Sequence, residues 1–187
     1  MTDHSYRLAG WVAVAACAVF LAETGAYFML ELPRYQGRVP FLLPAGLLFI
    51  HVLLSSYALL RLRSLLNERY EFSNGDLPIY ALVLGGVAIA LLRAIGDLVD
   101  GSELIAVPLL LAGLLTGVAS IIFGYRLFAV NGTLGGFKKA FAVTHIAAPV
   151  CFATVVLAPL GLLLMLLAAG LLAAIFLTDD HAELEFV

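Results

Sequence analysis

Between Ala140 and Thr178 the chain runs for 39 residues without Asp, Glu, Lys or Arg. As a single α-helix this segment would be about 58 Å long, roughly twice the hydrocarbon thickness of a bilayer. It has to fold back on itself in an apolar medium. Ala158-Pro159-Leu160-Gly161 is the natural place, because proline removes a backbone donor and glycine admits turn geometry. Two spans, at about 140–157 and 160–178, are expected to form a hairpin whose turn carries no charge. Pro149 offers a second breaking point, so a five-span chain with a kinked or re-entrant segment here is the alternative.

The rest of the chain divides at charges, glycines and prolines into stretches near the roughly 20 apolar residues that a span requires. The first is 8–30, ended by Glu31, Pro33, Arg34 and Gln36; it reads as a spanning helix and not as a removable signal peptide. The second, about 40–62, starts near Pro40, and Arg61, Arg63 and Arg69 draw a protruding helix end into water. Ser73-Asn74-Gly75-Asp76 is a turn, with Asp76 as a cap and Pro78 in the first turn of a third span at 77–98. Asp100-Gly101-Ser102-Glu103 reverses the chain into a fourth span at 104–128, closed by the glycine-rich stretch from Asn131 to Lys139. The expected architecture is an all-α integral membrane protein, one domain over 1–187 with six transmembrane helices and short loops.

Composition agrees. The chain is 63% apolar and 12% charged, with a mean hydropathy of +1.07, against roughly 45–50% apolar and 25% charged in a soluble domain. With so few charges and a net charge of −3, no nucleic-acid partner is expected. Cys17 and Cys151 lie within apolar runs without metal or redox spacing, and read as small hydrophobes. Lys and Arg favour cytoplasmic loops, and with six spans seven of them (Arg7, Arg61, Arg63, Arg69, Arg126, Lys138, Lys139) fall on one side against Arg34 and Arg38 on the other. Both termini are then cytoplasmic. Tyr6, Trp11, Tyr80, Tyr125 and Phe137 fall near the same inner interface, where amphipathic rings prefer to sit. Richness in Ala, Leu and Gly fits the inner membrane of a bacterium.

Helices in lipid associate through small residues that allow close approach. The fourth span carries Gly113, Gly117, Ser120 and Gly124 as one stripe, and the third carries Gly86, Ala90 and Ala94. These are packing seams, within one chain or between subunits.

Ionisable groups inside a span are costly unless paired or facing water, and are functional candidates by default. Glu23 lies roughly 22 Å from the inner face on the first span and Arg93 roughly 24 Å on the third, with Tyr27 and Asp97 one turn further out on the same faces. Two readings stand: a structural ion pair with Arg93 reaching for headgroups, or a substrate or proton site opening outward. His51 is near mid-membrane and His145 about 10 Å from the inner side. Interhelical hydrogen bonding is the first reading for both, proton or substrate handling the second, and axial ligation of a haem the third; no cofactor is expected.

Motifs add little. Asp97-Leu98-Val99-Asp100-Gly101 matches the opening of the acidic signature of CDP-alcohol lipid-headgroup transferases, but the Ala-Arg after the glycine and the later aspartates are missing. Zinc-helix, nucleophile-elbow and phosphate-loop patterns are absent, which argues against an enzyme. The sequence therefore points to a small-solute or ion transporter or channel, partnered by the bilayer and by copies of itself. The alternative is a non-catalytic subunit or anchor of a larger, possibly redox, membrane complex.

Overall fold

The computed structural model describes residues 4–32, 42–99, 102–132 and 134–178. Without water to satisfy backbone groups, a span closes its hydrogen bonds internally, and all regular structure among the described residues is helical: α1 (His4–Glu31), α2 (Leu42–Tyr70), α3 (Asp76–Val99), α4 (Ser102–Leu127), α5 (Lys138–Ala153) and α6 (Ala158–Thr178). Single 3₁₀ turns at Ser73–Gly75 and Val155–Leu157 precede α3 and α6. Five helices, all but α5, are long and apolar enough to cross a membrane, which makes this a multi-pass membrane protein by length and composition. The remaining helix, α5, has 16 residues and is about 24 Å long.

Each helix packs on its neighbours in sequence, and α1 also packs on α6, so the six close into a ring. The register follows from small residues. A Cβ on Gly124 of α4 would lie 2.6 Å from the Ala142 carbonyl of α5, and one on Gly117 would meet Pro149 at 3.3 Å. With Ser120, these two glycines form a seam between α4 and α5 within one chain, whereas Gly113 at the other end of the stripe has nothing within 4 Å. On α3 the close approach is made by Gly85, against Thr116 of α4, and not by Gly86, whose nearest neighbour is Val52 at 3.9 Å. Gly10 of α1 meets Leu177 and Phe176 of α6 and closes the ring.

The two ends of the ring differ. The basic end is where α1 starts, α2 turns into α3, α4 turns into α5 and α6 stops. Here Leu62, Leu65, Leu66, Ile79, Phe123, Phe141 and Phe176 are almost fully buried in one cluster. Toward the opposite end the buried residues are mainly small, with Ala16, Ala26, Ala90, Ala148 and Cys151 beside Pro44 and Leu48.

Three local expectations change. The end of α2 does not stand free in water: Leu62, Leu65 and Leu66 recur at helical spacing and carry it into the core through Tyr70. Tyr6 is not an interfacial ring. It is buried, donates to Glu68 at 2.8 Å, and stacks on Phe176, whereas Trp11, Tyr80 and Tyr125 do face outward. The break in the last apolar run lies at Thr154, whose extended backbone ends α5, and Pro159 instead occupies the first turn of α6, where its missing N–H costs nothing.

Asp76, expected as a cap, accepts from Arg63 at 2.8 Å and Asn67 at 3.0 Å, clasping α2 to α3. Gly132 at the α4–α5 turn has φ +106 and lies under the Tyr70 ring, a position that excludes a side chain on both counts.

Candidate functional site

Two polar clusters interrupt the apolar bundle. The first spans α1, α2 and α3 in the half away from the basic end. Glu23 is eight residues before the end of α1, His51 nine after the start of α2, and Arg93 six before the end of α3, so all three lie in one layer about 9–14 Å from that end. Glu23 is the buried member, 5% exposed. One carboxylate oxygen, Oε2, is 3.1 Å from Nδ1 of His51, and the other, Oε1, is 4.0 Å from Nη1 of Arg93. An ionised carboxylate only accepts, so Nδ1 of His51 carries the hydrogen of this bond. Phe20, one turn earlier on α1, holds the imidazole ring at 5.0 Å between centroids.

Arg93 is held differently. Its side chain is 44% exposed, and its guanidinium lies 5.1 Å above the Tyr27 ring, within range of a cation–π contact. A guanidinium presents five donors in a planar fork. One carboxylate oxygen at 4.0 Å is beyond hydrogen-bond range, so the fork is close to Glu23 without being consumed by it. Asp97 lies one turn further along α3, with its side chain outside the described residues.

The second cluster joins α4 and α5 in the basic half. The Ser120 hydroxyl is 2.8 Å from the His145 carbonyl and 2.9 Å from its Nδ1. A hydroxyl has one hydrogen; donated to the carbonyl, it leaves the oxygen to accept from Nδ1–H, which places the imidazole proton on Nδ1. Phe123 and Phe141 present edges to the ring at 5.1 and 4.7 Å. Ser120, the polar member of the small-residue stripe, thus braces two helices at their closest approach.

Of the residues singled out by sequence, Glu23, Tyr27, His51 and Arg93 come together. The neighbours of His145 are a separate set that shares no residue with those of His51. His51 and His145 each have Nδ1 engaged, and no group of three or more His, Cys, Asp or Glu side chains is gathered among the described residues. Sequence reading missed the pairing of Glu23 with His51, although equal distance from facing helix ends was a usable signal; the same count places Ser120 opposite His145.

Comparison with family models, with characterised proteins and with solved structures finds no match for this chain.

Proposed function

We propose that this protein is a small membrane transporter or channel for a solute or ion, with six spans and both termini in the cytoplasm of the cell whose inner membrane it occupies. Glu23, His51, Arg93 and Tyr27 are its polar site. The observation that carries this reading is a carboxylate 5% exposed inside an apolar bundle and shared between a histidine and an arginine from two further helices. Burying ionisable groups is costly, and a bundle held only by packing has no need of them.

The asymmetry of the ring supports the same reading. Large buried side chains fill the basic end, the cytoplasmic one by the distribution of Lys and Arg, while mostly small ones surround the site. A solute entering from outside would meet Arg93 and Tyr27 first and the Phe123, Phe141 and Phe176 cluster beyond. The 16 residues of α5 are short for a span but sufficient when packed between α4 and α6 with polar turns at its ends.

Proteoliposomes challenged in turn with radiolabelled carboxylates, phosphate, amines and sugars test this by solute uptake. One class should be taken up in a pH-dependent way, and Glu23→Gln should remove that pH dependence while the melting profile is retained. Uptake whose pH dependence is unaffected by Glu23→Gln would exclude the site. A silent protein that isolates in fixed stoichiometry with other chains would favour the anchor reading.

A further inference from the structure

We infer that the Glu23–His51–Arg93 cluster binds a monovalent oxyanion, a carboxylate or a phosphate oxyanion, on Arg93, and that it takes up one proton as it does so. This inference rests on the transport reading above and adds the chemical class of the ligand and the coupling.

The argument is one of charge balance in a poorly solvated place. A cluster of ionised Glu23, neutral His51 and the permanent Arg93 cation sums to zero. Among the described residues, the groups that face Glu23 are His51 on α2 and Arg93 on α3, whose guanidinium lies over Tyr27; the side chains of Glu31, Arg34, Arg38, Asp97 and Glu103 are outside the described residues. Helix α6, which also packs on α1, has no titratable side chain anywhere along Ala158–Thr178. No further charge within the described residues facing Glu23 can therefore compensate a change at this site.

Among the described residues, no acceptor lies within hydrogen-bond range of the Arg93 guanidinium fork. It is 44% exposed, rests on Tyr27, and sits 4.0 Å from Oε1, so an incoming carboxylate or phosphate can be gripped through two parallel N–H···O bonds without first breaking a tight internal pair. An ammonium or a sugar gains no such grip. Once the anion is bound, the cluster carries −1. Arg93 now has two negative partners, and Glu23 is left with a weakened counter-ion in a buried place. One proton restores neutrality, on Glu23 or on His51, which share it across a 3.1 Å contact. The complete change is one anion and one proton in, with no bond made or broken beyond that proton's.

Titration calorimetry of the purified full chain tests this, repeated in two buffers of different ionisation heat so that proton uptake per ligand is read directly. The probes are acetate, inorganic phosphate and a water-soluble short-chain phosphatidylglycerol. Wild type should bind an oxyanion with close to one proton taken up. Arg93→Gln should weaken binding by at least about tenfold, with partial recovery in Arg93→Lys. Glu23→Gln is the discriminating variant: it leaves the resting cluster at +1, so the anion should bind more tightly, about tenfold, with the proton uptake lost. A structural ion pair alone predicts no tightening in any variant.

Binding of acetate or phosphate assigns the ligand to a free solute. Binding of the phospholipid alone assigns the same chemistry to a headgroup. Binding without proton uptake, or Glu23→Gln weakening it, would overturn the proposal, as would no binding of any probe to protein with an intact melting profile. Failure of the broader reading looks different. Uptake of amines or sugars that survives Arg93→Gln would leave a transporter without this anion site, and proton-coupled anion binding without any uptake would leave the site without transport.

Discussion

At the scale of single residues, the geometry ranks the partners of Glu23. His51 Nδ1–H makes a hydrogen bond to the carboxylate at 3.1 Å from a side chain 16% exposed, whereas the Arg93 guanidinium attracts it only across 4.0 Å from a side chain 44% exposed, where distance and solvent weaken Coulomb attraction. Double-mutant cycles by thermal melting in detergent should therefore give a Glu23–His51 coupling of about 1–2 kcal/mol and a Glu23–Arg93 coupling below about 1 kcal/mol. The reverse order would mean that Arg93 is the structural counter-ion and not the open donor. The nearness of Glu23 to Arg93 was legible in the sequence, because depth is a simple count along helices running the same way. The pairing of His51 with Glu23 is less legible. Which group a side chain meets depends on helix rotation, and an almost uniformly apolar sequence barely encodes rotation: with Leu, Ala and Val on every side, no polar face marks the direction of the core.

Elements were more legible in number than in their ends. Six helices are set by length arithmetic, since a 39-residue uncharged run cannot cross once and stop. Their ends depend on tertiary packing, as the continuation of α2 to Tyr70 over Leu65 and Leu66 shows, and the α5–α6 turn depends on Thr154 and not on proline. The small-residue stripe on α4 was visible as a pattern, yet only part of it is a seam. Adding a methyl group at Gly124 drives it into the Ala142 carbonyl and the Ile146 side chain, while at Gly113 it enters open space. Gly124→Ala should destabilise the protein by about 1–3 kcal/mol. By contrast Gly113→Ala should be neutral or gain up to about 1 kcal/mol from helix propensity. Melting curves of the two variants decide, and a neutral Gly124→Ala would show that α4 and α5 approach less closely.

For the whole molecule, the ring makes a claim about sidedness that can be tested apart from any ligand. The ring closes because α1 packs on α6 with the start of one beside the end of the other, as the contact of Gly10 with Leu177 requires. If α1 crosses the bilayer, the end of α6 must then lie on the side where α1 begins. The same holds for the α2–α3 turn, clasped by Arg63 and Asp76, and for the α4–α5 turn, where Lys138 donates to the Val130 carbonyl. An odd number of crossings would separate the termini, so on the six-span proposal the short α5 traverses as well. On the proposed topology the seven basic residues on that side face the cytoplasm. Starting from a variant in which Cys17 and Cys151 are replaced by Ala, single cysteines at Thr154 and at Lys139 should react oppositely with a membrane-impermeant maleimide applied to intact cells. Thr154→Cys should label from outside, and Lys139→Cys only after the cells are opened. A carboxy-terminal reporter should register cytoplasm. Should Thr154→Cys resist labelling from outside while the carboxy-terminal reporter registers the exterior, α5 is re-entrant, five spans are right, and the α1–α6 closure is lost.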